Sequence, residues 1–249
     1  MEKFSSHLII ISNQMTQTPP LEVLYEDNHL IAVNKPACIP VQPDPSGDTS
    51  LEDIVKQYIK EKYAKPGDVF LGVVHRIDRP VGGVVLLAKT SKALTRINEM
   101  FRGNDVRKTY WAIVKDCPVE TQATLEHYIF RDTKKNVSRA TDKEVKDSKK
   151  GILSYKLIAS SDNYHLLEID LKTGRHHQIR CQLAKIGCPI KGDLKYGAQR
   201  SNPDGSISLI SRKMEFIHPV TKVPVEITAP VPGDALWQSF EKNSVIKQG

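Results

Sequence analysis

The chain predicts an α+β fold. Strand-like apolar runs come as hairpins, helical periodicity is confined to separate capped stretches, and the two do not alternate in a regular βαβ repeat. With 249 residues the chain can bury a sizeable core, so residues 21–249 are expected to form a single domain. Residues 1–20, ending in Pro19-Pro20, read as a flexible leader, because they lack a sustained buried pattern.

Leu21 to Glu26 and Leu30 to Val33 are short apolar runs split by Asp27-Asn28, which predicts a hairpin that Lys35-Pro36 ends. Ser50 and Asp53 form a capping-box pair. Behind them Leu51, Ile54, Tyr58 and Ile59 recur at helical spacing, and this helix ends before Pro66-Gly67. Val69 to His75 and Val84 to Ala88 read as strands. A second helix starts at Ser91, with Leu94, Ile97 and Phe101 on one stripe and Gly103 as its C-cap. In Thr109 to Val114 the period changes to two, with Tyr110, Ala112 and Val114 on one face and Trp111 and Ile113 on the other.

Arg131 to Lys150 holds eight Lys and Arg and few large apolar residues, so an exposed loop or ribbon is expected, meeting either solvent or phosphate. Leu167, Ile169 and Leu171 alternate with Glu168 and Asp170 in a half-buried strand that Lys172-Thr173-Gly174 ends. A helix from about Arg175 follows, with Ile179, Leu183 and Ile186 on its stripe and Gly187 as stop. Two further strands are expected at Ile207 to Ile217 and Val223 to Thr228, then a short helix near Ala235 to Phe240.

Lys and Arg outnumber Asp and Glu by 36 to 29, a net charge of +7 that suits a polyanionic partner if the cations share a face. Cys38, Cys117, Cys181 and Cys188 are scattered, with no zinc-finger spacing, and read as reduced structural thiols. Leu8 to Ile11 is too short for a signal or a membrane span, so a cytoplasmic protein without a membrane is expected.

The stretch His75-Arg76-Ile77-Asp78-Arg79, followed by Gly82-Gly83, Val84 to Ala88 and Lys89, sets one carboxylate among cations on a loop between two strands. Opposite charge nearby keeps a carboxylate ionised. Such an Asp is either a structural ion pair or a nucleophile, and these residues alone leave both open.

Three more blocks accompany it: Asn34-Lys35-Pro36, Lys108-Thr109-Tyr110-Trp111-Ala112, and Thr173-Gly174-Arg175-His176-His177-Gln178-Ile179-Arg180. With Pro189-Ile190-Lys191-Gly192-Asp193 and Tyr196-Gly197 downstream, their order resembles the RluA-type family of RNA pseudouridine synthases from about Leu21 to Pro232. Ile77 replaces the family's usual Leu, and Pro80-Val81-Gly82 departs from the more common Asp-Thr-Ser in the turn after the Asp.

The resemblance implies a large mixed, mostly antiparallel sheet flanked by helices, and an isomerase that converts uridine in ribosomal or transfer RNA to pseudouridine without metal or cofactor. It assigns to Asp78 the carboxylate at the ribose, attacking C1′ or removing the C2′ proton. It makes Tyr110 the ring on the target uracil and a helper with the C5 proton, with an alternative as a core Tyr, and Arg180 the partner of Asp78, with an alternative as a solvent-facing helical Arg. Arg76 is expected to take the place of the extruded base or to serve as counter-ion alone. Arg79, Lys35, Arg175 and His177 are expected among the RNA-facing residues, and His75 behind the loop. The family's small N-terminal RNA-binding domain is expected to be absent and the protein to be a monomer. Target choice would then rest on the catalytic domain or on the RNA's shape.

A metal-dependent nuclease built on His75, Asp78, His176 and His177 would want several convergent carboxylates, and these blocks hold one. A deaminase signature is missing, and Gly82-Gly83 lacks the Lys-Ser/Thr of a phosphate loop. A non-catalytic RNA-binding protein on the same scaffold is the remaining alternative, and it has no reason to keep Asp78, Tyr110 and Arg180 together.

Overall fold

The computed structural model describes residues 21–246; the expected leader, residues 1–20, lies outside the described residues. The first half of the chain supplies β1 (Glu22–Glu26), β2 (Leu30–Lys35), α1 (Leu51–Lys62), β3 (Gly72–Val73), β4 (Gly82–Ala88), α2 (Ser91–Gly103) and β5 (Arg107–Val114). The second supplies β6 (Gln122–Asp132), β7 (Val137–Thr141), β8 (Lys149–Ser160), β9 (His165–Leu171), α3 (Gln178–Lys185), β10 (Leu209–Ile217), β11 (Pro224–Thr228) and α4 (Ala235–Ile246). The strands form one eleven-stranded sheet ordered β1-β2-β4-β10-β5-β9-β8-β6-β7, with β3 beside β4 and β11 beside β10. The β4–β10 pair is parallel and the other pairs are antiparallel, so the expected mixed, mostly antiparallel sheet is present.

The sheet has an apolar layer on each face. Strand β5 shows why: Tyr110, Ala112 and Val114 point into one layer, with Val33, Val85 and Leu167, while Trp111 and Ile113 point into the other, with Leu86 and Met214. Helices α1 and α3 cover the first face through Leu51, Val55, Ile59, Ile179 and Leu183. Helices α2 and α4 cover the second through Ala93, Ile97, Trp237 and Phe240. The capping box of α1 forms as expected, with Ser50 accepting from the Asp53 N–H.

Several boundaries differ from the sequence expectation, each for a local reason. Helix α2 runs through Gly103, and Asn104 holds the left-handed position (φ 61°), which Asn tolerates through its short polar side chain. The strand expected over Val69 to His75 shrinks to two residues, because the chain leaves β4 after Val73. His75 then fills the ladder, its Nε2 accepting the Leu86 N–H at 3.0 Å. Helix α3 begins at Gln178 and not at Arg175. The Gln178 amide accepts from the Arg175 N–H and the Thr173 hydroxyl and donates to the Ile152 carbonyl, which ties residues 173–177 into a loop. The basic segment after Arg131 is the expected ribbon, paired β6 to β7, and α4 extends past Phe240.

The turn after Asp78 is fixed by three backbone bonds: Val81 N–H to the Asp78 carbonyl (3.0 Å), Cys38 N–H to the Arg79 carbonyl (2.7 Å) and Ile207 N–H to the Pro80 carbonyl (3.2 Å). Ile77 and Val81 sink into the core on either side of Asp78. Gly83 lets this turn enter the sheet: its φ is +107°, and an added Cβ would lie 2.3 Å from the Ser211 carbonyl oxygen on β10. Any side chain there must part β4 from β10. Gly83→Ala should therefore lose about 3 kcal/mol of stability in urea unfolding, from positive-φ strain and a backbone clash together. An unfolding midpoint like that of the unsubstituted chain would show that the two strands do not approach this closely.

Candidate active site

Asp78 stands on the loop between β3 and β4 with its side chain 27% exposed, facing the N-terminal end of α3. Arg180, in the first turn of α3, is 4% exposed and donates Nη1–H to Asp78 Oδ2 at 3.0 Å. Its other edge makes a fork to a second carboxylate: Nε and Nη2 donate to Asp193 Oδ2 and Oδ1 at 2.6 and 2.8 Å. Asp193 is 1% exposed. One buried cation thus faces two carboxylates. Burial alone would depress the guanidinium's pKa, but the Asp193 hydrogen bonds and charge, joined by Asp78, raise it.

His177 caps α3 in a left-handed conformation (φ 51°), and this brings its ring back over the site. Its Nε2 lies 3.6 Å from Asp78 Oδ2, and its Nδ1 is 2.8 Å from the Tyr196 hydroxyl. The ring stacks on His176 at 3.7 Å between centroids, and the Arg180 guanidinium lies over the Tyr196 ring at 4.9 Å. Burial and the neighbouring Arg180 push the His177 pKa down to about 2, so the imidazole is neutral.

Tyr110 is 7% exposed, on the α3-covered face of β5 beside β9 and β10. Burial, with the Asp78 charge adding to it, pushes its phenol up to about 12 and keeps it neutral. The structure therefore brings Asp78, Arg180, His177 and Tyr110 into one neighbourhood.

The other expected residues are placed differently. Lys35 is 1% exposed, and its Nζ donates to the carbonyls of Pro36, Ile39 and Arg79 at 2.9, 2.9 and 3.1 Å. Three carbonyls meet the three donors of an ammonium, even though burial pushes its pKa down to about 7. Lys35, expected to face RNA, instead holds the Asp78 loop from inside. Arg79 is turned to the loop before α1, where it pairs with Asp44, Asp48 and Ser46 and donates Nε–H to the Cys38 carbonyl. Arg76 is exposed, with one long contact of 3.4 Å to Gln42. Arg175 is exposed and holds the Lys150 carbonyl through Nε. His75 sits behind the loop as expected, its ring stacked on Phe101 and held neutral by burial, which pushes it down to about 3.

Asp193 and Tyr196 are the two site residues to which the sequence attached no role. They lie in the short turn Gly192 to Gly197, and the signal available was their place in the family-like stretch downstream of α3. Among the described residues, no cluster of three His, Cys, Asp or Glu side chains converges as a metal site would require. None of the described helices is long and apolar enough to cross a membrane.

Known proteins resemble this chain in sequence and in fold. A family profile described as RNA pseudouridylate synthase matches residues 29–185. The chain is 33% identical over 242 residues to ribosomal large subunit pseudouridine synthase D of Xylella fastidiosa, spanning 90% of this chain and 70% of that one. It is 31% identical over 241 residues to tRNA pseudouridine synthase C of Vibrio vulnificus, spanning 89% and 95%. Among solved structures, human RNA pseudouridylate synthase domain containing 4 superposes with a TM-score of 0.73 at 21% identity, covering 90% of this chain and 93% of that one, a likeness of fold.

The neutral His177 has a consequence for stability. The folded state keeps an imidazole whose pKa is about 2, whereas the unfolded chain protonates near 6.5, the ordinary value for histidine. Its contribution is present above that pH and is lost as pH falls, by about 2 kcal/mol between pH 7 and pH 5. His177→Asn, which suits the left-handed backbone, should make the fall in urea stability over that range shallower by this amount. An unchanged slope would mean that His177 titrates alike in both states.

Proposed function

The chain belongs to the RNA pseudouridylate synthase family and is an isomerase acting on RNA, and from that premise we propose that it converts specific uridines of ribosomal or transfer RNA to pseudouridine, with Asp78 as the catalytic carboxylate and the target nucleotide turned out of the RNA. The observation that carries this reading is how Asp78 is held. Arg180 and His177 both approach Oδ2, and Oδ1 has no hydrogen-bond partner among the described residues. One oxygen is anchored and the other is free to react, on a side chain that is open to a ligand but backed by a buried cation.

The reaction breaks the bond between uracil N1 and ribose C1′ and joins C5 to C1′. In one route Oδ1 attacks C1′ as the N1–C1′ electrons leave with uracil; C5 of the turned base then displaces the carboxylate, the C5 proton is lost and N1 takes one up. In the other route the carboxylate removes the C2′ proton as the N1–C1′ electrons leave with uracil, giving a C1′=C2′ double bond; the proton then returns to C2′ as C5 joins C1′, and C5 loses its own proton while N1 takes one up. Both routes use the carboxylate of Asp78, whose Oδ2 accepts the Arg180 Nη1–H. A neutral phenol suits a stacking surface for the uracil better than it suits a base, so Tyr110 holds the ring and the C5 proton goes to the released Asp78 carboxylate.

Extruding the nucleotide costs a few kcal/mol. Arg76, exposed on the same loop as Asp78 and lightly held, has the planar cation to fill the space left in the RNA. Arg175, exposed at the mouth of α3, is placed for phosphate. Lys35 from within and Arg79 from the outer side serve the same end by keeping the loop in place.

In a tritium-release assay on RNA labelled at uridine C5, Asp78→Asn should fall to background while RNA binding survives. Release at the unsubstituted rate would end the assignment of Asp78. Binding of both proteins should weaken steeply with salt, by about 0.7 to 0.9 log units per log unit of salt for each phosphate contacted. A flat salt response would remove RNA as the partner.

A further inference from the structure

We propose that Asp193 and Tyr196, carried on one short turn, are positioning residues that fix the direction of Arg180 and the tautomer of His177, and through them the orientation of the Asp78 carboxylate. This rests on the reading of Asp78 as the catalytic carboxylate. It adds a group that lies behind the site and touches no substrate.

The Asp193 half follows from the donors of a guanidinium. Arg180 is buried, and a buried guanidinium must place its N–H groups on acceptors. Asp193 takes Nε and Nη2 in a fork. That fixes the plane of the guanidinium, so Nη1 can point in one direction, and Asp78 Oδ2 stands there at 3.0 Å. The Tyr196 ring under the guanidinium closes the remaining freedom. Without the fork, Arg180 would be free to swing both donors of one edge onto Asp78, tying up Oδ1 as well as Oδ2.

The Tyr196 half follows from a chain of donors. The Ser138 backbone N–H donates to the Tyr196 oxygen at 2.7 Å, so the phenol's own proton is available to His177 Nδ1 at 2.8 Å. Burial pushes the Tyr196 phenol up to about 12, so it keeps that proton. With Nδ1 accepting, the neutral ring carries its hydrogen on Nε2, the atom 3.6 Å from Asp78. The opposite tautomer would present a lone pair to the carboxylate and repel it. The titratable and charged groups that feel Asp78 include Arg180 and Cys181 from α3, His177 and His176 from its cap and the loop before it, Tyr110 from β5 and Lys35 from β2. The turn holds the two nearest.

The test uses the full chain and C5-tritiated total RNA from cells lacking the gene. Asp193→Asn keeps shape and removes charge; Tyr196→Phe keeps the ring and removes the proton. Each should lower the single-turnover rate, Asp193→Asn by about 100-fold, while RNA affinity stays within a few-fold, because misplaced reacting groups cost rate and not binding. In nitrogen-15 spectra of the free protein, the Nδ1 and Nε2 signals of His177 should report an Nε2–H tautomer, and Tyr196→Phe should shift the Nδ1 signal. Spectra need no activity, so they decide even if a variant is inactive. Should Asp193→Asn prove poorly folded by circular dichroism, Asp193→Glu, which keeps charge but lengthens the arm, takes its place and should also lose rate with affinity kept. Unchanged rates, or an Nδ1–H tautomer in the unsubstituted chain, would overturn the proposal. If Asp78→Asn also releases tritium normally, the failure lies with the assignment of Asp78 itself.

Discussion

A buried guanidinium shared by two carboxylates is the constraint on which the site depends. A buried cation costs several kcal/mol unless it is paired and its donors are met, and a lone partner seldom repays that. Arg180 meets the condition with three N–H donors on two Asp side chains and an aromatic ring on its face. The elements that bring these groups together are far apart in the chain: Asp78 precedes Arg180 by 102 residues, and Asp193 follows it by 13. The sheet reconciles them, because β4, β5 and β10 are neighbours in it and α3 lies over the same face.

The loop that bears Asp78 keeps its carboxylate half-exposed on a pinned backbone. Ile77 and Val81 bury on either side, three backbone bonds pin residues 78 to 80, and the Lys35 ammonium gathers carbonyls from residues 36, 39 and 79. A cation solvated by carbonyls inside the protein is costly. Here that cost is offset by joining the Asp78 loop to the end of β2, so that the loop inherits the rigidity of the sheet. Arg79 does the same on the outer side through Asp44 and Asp48. Both cations read from the sequence as RNA contacts are used first to shape the loop, while Arg76 and Arg175 remain exposed.

What was legible in the sequence follows what is local. The Ser50–Asp53 cap, the two faces of β5, the hairpin of β1 and β2 and the placement of Asp78 between strands all rest on spacing within a few residues. Strand β6 was not legible, because its buried stripe of Leu125, His127 and Ile129 includes a histidine that Gln182 satisfies from α3, a contact no local pattern reveals. The start of α3 was misplaced for a similar reason, since the Gln178 side chain ties the preceding loop to β8. The pairing of Asp78 with Arg180 came from resemblance alone. Asp193 stood in a recognised stretch but carried no role, because nothing in its neighbours shows that it turns back onto α3.

The central claim is that the forked geometry of Arg180, and not its charge alone, positions Asp78. Arg180→Lys tests it most directly, since lysine keeps the charge but cannot span both carboxylates. Single-turnover conversion of uridine by Arg180→Lys should be slower by about 100-fold with RNA affinity kept. A rate close to that of the unsubstituted chain would show that a point charge suffices and would contradict the account.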